Sequence, residues 1–162
     1  MTAHDPIHQR LRELGVELPR PPQPVAAYIP AVRSGSQIFV SGQIPFRSGT
    51  RELLATGPVP SRVPVEAAAA AARACALNAL AIVDAQLEGR LSLVTRVVRL
   101  GVFVASDAGF GEQPRVANGA SELLVEIFGE RGRHARAAVG VSALPLDATV
   151  EVEMLVEVAD AT

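Results

Sequence analysis

The chain contains no lysine: all 15 of its basic residues are arginine. A Schiff base on a side-chain amine and a phosphate-loop lysine are therefore both excluded. It also lacks tryptophan and has a single tyrosine, with aromatic residues at 4%, so no platform of rings for stacking a nucleic-acid single strand is expected. With one cysteine, Cys75, no disulfide can close within the chain. Cys75 lies in V-E-A-A-A-A-A-A-R-A-C-A-L-N-A-L, which predicts helix, and a lone cysteine there reads as a small core residue. The three histidines, His4, His8 and His134, do not assemble into a zinc cluster or a Ser/His/Asp set. Any catalysis must run on Arg, Glu, Asn, Ser, Tyr, backbone groups and water, with no metal and no cofactor expected.

Charge of one sign is scarce too. The formal net charge is -2 and the charges are interspersed, so there is no basic stripe for a nucleic-acid backbone, and nucleic acid is not an expected partner. Charges interrupt the apolar stretches before about 18 residues, the length of a membrane span, and no membrane association is expected. Residues 1–20 carry His4, Asp5, Arg10, Arg12 and Glu13 without an apolar core, so no secretory signal is visible and a cytoplasmic location is the default. What is present is 162 residues, 49% of them hydrophobic, enough for one globular domain with a proper core.

Ile7, Leu11 and Leu14 at helical spacing, followed by Gly15, predict a short amphipathic helix over Asp5 to Leu14. The prolines of Leu18-Pro19-Arg20-Pro21-Pro22-Gln23-Pro24 predict an extended lead-in, so residues 1–24 read as an appendage to a domain spanning 25–160. Two β-like runs, Tyr28 to Arg33 and Gln37 to Ser41, flank Ser34-Gly35-Ser36 and predict a hairpin, with Pro30 placing the first strand at an edge or marking a bulge there. Residues 44–64 read as loop. Val65 to Leu87 predicts a helix, Leu93 to Ala105 a strand in which Arg96 and Arg99 need exits to solvent, and Pro114 to Phe128 a second helix. The order is ββαβαββ, an α+β mixed sheet with both helices on one face. The other face, apolar through its valines, is expected to be covered by a copy of the chain.

The last strands carry the chemistry. From His134 to Val158 two alternating runs flank Leu144-Pro145-Leu146-Asp147 and read as a β-hairpin. In the first, Ala135, Ala137, Val139, Val141 and Ala143 share one face, and Arg136, Ala138, Gly140 and Ser142 the other. A long cation in a row of small residues leaves room beside the guanidinium. In the second, Val150, Val152, Met154, Val156 and Val158 oppose Glu151, Glu153 and Glu157. Arginine and glutamate could thus meet across a cavity. On spacing alone such a pattern is more often a solvated face whose cross-strand ion pairs are each worth about 0.2–1 kcal/mol.

Four marks in order decide between these readings: V-S-G-Q-I-P at Val40 to Pro45, Asn118 in the second helix region, A-R at Ala135 and Arg136, and L-P-L-D-A-T-V-E-V-E from Leu144 to Glu153. With them the chain resembles the reactive-intermediate deaminases, the Rid or YjgF group, also described as endoribonucleases, over about Val25 to Val158. The resemblance implies a chorismate-mutase-like fold, a homotrimer with clefts between subunits, and cofactor-independent hydrolysis of enamines and imines to a keto acid and ammonia. It implies that Arg136 holds the substrate carboxylate, that Glu151 positions or activates water, and that Tyr28, Ser41 and Asn118 contact substrate or water. A guanidinium fork suits a carboxylate, and general acid/base work suits a carboxyl with a raised pKa. Without the family role Tyr28 is core, Ser41 satisfies a turn and Asn118 caps a helix. Ala138 stands where many members have cysteine. The alternatives are a non-catalytic small-carboxylate-binding or chaperone-like trimeric module and, against the charge balance, an endoribonuclease.

Overall fold

The computed structural model describes residues 5–21 and 27–160. The prolines Pro22 and Pro24 of the expected lead-in, and the start of the resemblance at Val25, lie outside them. The elements run α1 (Pro6–Glu13), β1 (Ala31–Ser34), β2 (Gln37–Gln43), α2 (Val65–Gln86), β3 (Val94–Ala105), α3 (Gln113–Phe128), β4 (Ala135–Val141) and β5 (Val150–Val158), with short 3₁₀ turns between them. This is the expected α+β order with one helix in front. The strands form a single mixed sheet ordered β1-β2-β5-β3-β4, antiparallel throughout except for the parallel β3–β4 pair.

That order corrects the terminal hairpin. Although β4 and β5 are consecutive, β3 lies between them and pairs with both. The crossover from β3 through α3 sets β4 parallel on one edge of β3, and β5 pairs with the other edge of β3, and with β2, rather than with the free edge of β4. A 3₁₀ turn at Pro145–Asp147 makes the passage, with Leu146 and Asp147 at positive φ. It is pinned rather than free: Gly57 N donates to Asp147 O at 2.8 Å, Arg62 Nη1 to Asp147 Oδ2 at 3.0 Å, and the buried Thr149 Oγ1 to Gly57 O at 2.9 Å. The motif from Leu144 to Thr149 is thus a clasp on the loop between β2 and α2.

Pleating sorts the side chains. Leu100, Val102 and Val104 pair with Met154, Val152 and Val150 on one side of β3 and with Arg136, Ala138 and Gly140 on the other, and all of these face the helices. Gly101 and Phe103 pair with Glu153 and Glu151, and with Ala137 and Val139; these form the open face. Against the helix side, α2 lays Ala68, Ala72, Cys75, Ala76 and Ala79, all fully buried. Each fully buried Val or Leu of the sheet contributes about 1.5–3 kcal/mol. The alanines let α2 lie close to the strands, and Gly119 lets α3 cross it tightly, since a Cβ there would strike the backbone carbonyl of Ala69.

Two further expectations change. The 22 residues of α2 are long and apolar enough, by length and composition, to cross a membrane, contrary to the expectation that charges interrupt every such run. In this fold its apolar side is core, and alanine supplies the hydropathy at little side-chain volume. The run from Tyr28 begins as a bend, and β1 starts at Ala31 after Pro30. β1 is an edge strand, as Pro30 requires. Irregularities in the β3–β5 register at Val94/Arg96 and Val97/Arg99 turn both Arg96 and Arg99 out to solvent.

The N-terminal helix joins the same core. Asp5 caps it, accepting from Ile7 N and His8 N, and its other carboxylate oxygen takes Ser92 N at 2.8 Å. Burial raises the Asp5 pKa, but these bonds outweigh it and hold the group below its ordinary value. Ile7 and Leu11 are buried, and His8 Nε2 lies 2.8 Å from Asp84 on α2.

Candidate active site

The structure divides the expected site residues into two groups on opposite faces of the sheet. One is built where α3 crosses the edge strand β4. Asn118 and Ser121 are three residues apart on α3 and share a face. Arg136 Nη1 donates to Asn118 Oδ1 at 2.9 Å and to Ser121 Oγ at 3.0 Å. Asn118 is interior to α3, whose N-cap is Glu112, so it does not cap the helix. Both Nη1 protons are engaged, and among the described residues the Nη2–Nε edge of the guanidinium makes no hydrogen bond. That edge is the fork that a carboxylate needs.

The small residues beyond Arg136 leave less room than their size implies. Ala138 packs against the core, and the space above Gly140 is taken by the side chains of Gln113 and Ser106. The opening is at the guanidinium itself, on the free edge of the sheet.

The second group lies on the open face near β1, β2 and β5. Its Glu151 is half-buried beside Gly42, where a Cβ would collide with the carboxylate. Among the described residues Glu151 enters no hydrogen bond or ion pair, whereas Glu153 pairs with Arg99 at 2.9 Å. Burial, and then the charge of Glu153, push the Glu151 carboxyl above its ordinary pKa. Ser41 and Gly42 lie in a register shift of the β2–β5 ladder between Val40 and Gln43. The buried Gln43 turns back on that bulge, donating from Nε2 to Ser41 O at 2.9 Å and Gly42 O at 3.3 Å. The V-S-G-Q motif is therefore a self-capped bulge, with Gln43 satisfying carbonyls that the ladder leaves over. Ser41 Oγ donates to Ile29 O at 2.9 Å, so its proton is spent and its lone pairs are free to accept. Tyr28, one residue from that carbonyl, is 49% exposed.

Arg136 and Asn118 are thus brought together, as are Ser41, Gly42 and Glu151, but Arg136 and Glu151 cannot meet within one chain. The cavity imagined between them is replaced by the sheet. Sequence reasoning missed Ser121 and left His134 without a role. The signals were there: Ser121 is one helical turn beyond Asn118, and His134 is two residues before Arg136, so strand alternation puts both on its side. Among the described residues no His/Cys/Asp/Glu group is arranged to hold a metal ion.

Comparison with known proteins agrees with the fold. Residues 8–158 match the family described as "YjgF/chorismate mutase-like, putative endoribonuclease". Protein TCP17 of Trypanosoma cruzi is 47% identical over 152 residues, 93% of each chain. A 2-iminobutanoate/2-iminopropanoate deaminase of Dermatophagoides farinae is 29% identical over 141 residues, 87% of this chain and 93% of that one. Among solved structures, the protein Atu1372 of Agrobacterium tumefaciens, of unknown function, is 47% identical with a TM-score of 0.85, covering 94% of this chain and 91% of its own.

Proposed function

Because the chain belongs to the YjgF family, we propose that it is a cofactor-independent deaminase that hydrolyses a small 2-imino or 2-enamino acid to the keto acid and ammonia. The observation that carries this reading is the state of Arg136: one guanidinium nitrogen is saturated by Asn118 and Ser121, while the opposite edge, at the exposed end of the sheet, has no hydrogen-bond partner among the described residues. An arginine so held is arranged for a planar anion rather than for a surface ion pair. The 29% identical deaminase supports the choice of reaction.

With the substrate carboxylate on Arg136, water adds to the carbon of the protonated imine, a form the enamine reaches by taking a solvent proton at its β-carbon, and Glu151 takes the water's proton, giving a neutral carbinolamine. Glu151 returns that proton to the nitrogen, the hydroxyl oxygen's lone pair forms the C=O as the C–N bond breaks, and the hydroxyl proton passes to the departing ammonia, which leaves as ammonium. One water is consumed and one ammonia released. A carboxyl whose pKa is raised toward the working pH suits both directions of transfer. Because Arg136 and Glu151 lie on opposite faces, the site requires two copies, the helix-side edge of one against the open face of the next. Such a head-to-tail contact closes into a ring, and the proposed ring is a trimer.

The test generates imino acids in situ with an amino-acid oxidase and traps them with semicarbazide. Wild type is expected to lower the trapped fraction, and Arg136→Ala to lose at least about a hundredfold of that activity with assembly unchanged. An Arg136→Ala protein as active as wild type would overturn the reading.

A further inference from the structure

Arg136 is the end of a longer chain of hydrogen bonds. Ser121 Oγ, which accepts from Arg136 Nη1, lies 2.9 Å from His134 Nε2, and His134 Nδ1 lies 2.6 Å from Gly132 O. A carbonyl oxygen can only accept, so Nδ1 carries the proton, and in the neutral ring Nε2 is then an acceptor. The serine proton therefore points to the histidine, and the serine lone pairs point to the guanidinium. The polarity runs in one direction, from Arg136 through Ser121 and His134 to the Gly132 carbonyl.

We infer that Ser121 and His134 are positioning residues that fix the orientation of the Arg136 guanidinium, His134 acting only through Ser121. The inference rests on the reading of Arg136 as the carboxylate site. Without an acceptor at His134 the serine hydroxyl is free to rotate and to offer its proton to the guanidinium side, where two donors would face each other. The anchoring of the histidine is itself rigid, because Gly132 is buried against the backbone of Leu124 and Val125 on α3, with no room for a side chain. Around the ring, α3 contributes the neutral Ser121, the turn before β4 contributes the Gly132 carbonyl, and β4 contributes the charge of Arg136. Burial first, and then that charge, lower the His134 pKa, while the bond to Gly132 raises it; the balance keeps the ring neutral, as the chain of bonds requires.

Pyruvate, the simplest 2-keto acid, serves as the probe in a binding titration by calorimetry at neutral pH. Ser121→Ala and His134→Leu are each expected to weaken it about three- to tenfold, on the order of one hydrogen bond's worth of lost orientation. Ser121→Thr, which keeps the hydroxyl, and His134→Gln, which keeps an acceptor near the Nε2 position, are expected to bind within about twofold of wild type. The Ser121→Ala/His134→Leu double variant is expected to be no weaker than Ser121→Ala alone, because the histidine has no route around the serine. A full second loss in the double variant, or no loss in either single one, overturns the inference. A separate nitrogen NMR readout follows rotation about the Arg136 Cζ–Nη1 bond without ligand: slow in wild type and faster in both Ser121→Ala and His134→Leu. If Arg136→Ala binds pyruvate as wild type does, the carboxylate reading fails, and the rotation measurement still decides whether the clamp exists. Unchanged rotation in both variants overturns the clamp even if Arg136 binds pyruvate.

Discussion

Glu151 and Glu153 occupy the same face of β5 two residues apart, and their surroundings separate them. Glu153 has Arg99 at 2.9 Å, whereas Glu151 is half-buried against Gly42 with no partner among the described residues. Burial and the neighbouring charge both penalise ionisation of Glu151, which holds its pKa above the ordinary glutamate value. The base form is populated only above that raised pKa, so the rate should fall as pH drops through it. Glu153→Gln removes one of the two causes and releases Arg99 from its pair, and both changes favour the ionised form of Glu151. The acid limb of the kcat/KM profile should therefore move to lower pH, with the plateau retained. A limb that stays in place or moves up would show that Glu151 is not the titrating base.

At the scale of elements, the bulge at Ser41–Gly42 decides how the open-face half of the site is shaped. Gln43 is 8% exposed, and its amide satisfies both bulged carbonyls. Gln43→Ala should cost about 1 kcal/mol, the net worth of the bonds it makes to these half-buried carbonyls, and should appear as a lower urea midpoint with unchanged m. A midpoint equal to wild type would mean that water replaces the side chain. The sequence disclosed the helices and strands well, because α1, α3 and β5 each keep one periodicity from end to end and the alanines of α2 carry strong helix propensity. It misled on the partner of β4, since alternation marks a strand without naming its neighbour, and β5 instead fills the place between β2 and β3. The same limit hid the clamp on Arg136: Ser121 and His134 are separated by the end of α3 and a turn, and only the packing of α3 on β4 joins them. Asn118, Arg136 and Glu151 were legible as residues, but not as members of two faces.

On the proposed reading, one copy of the molecule holds only half of the site. Its open face carries Phe39 at 46%, Val32 at 50% and Val139 at 44% exposure, apolar side chains that a lone soluble chain rarely leaves together. The same face holds Glu151, while Arg136 lies at the edge on the other side. If the proposed ring joins the Arg136 edge of one copy to the Glu151 face of the next, two inactive variants should restore each other. In an Arg136→Ala chain the glutamate is intact, and in a Glu151→Gln chain the arginine is intact. Equimolar random mixing, by unfolding the two proteins together and refolding them, then gives an intact Arg136 beside an intact Glu151 at about one quarter of the contacts, since each half is present with a chance of about one in two. Activity near that fraction of wild type is the expected outcome, read by semicarbazide trapping, with neither variant active alone. Mixing after separate refolding should recover activity only as fast as subunits exchange. A site contained in one chain could never be restored this way, because every chain in the mixture lacks one of its two groups, and a refolded mixture that stays inactive while sedimenting as a trimer would overturn the shared site.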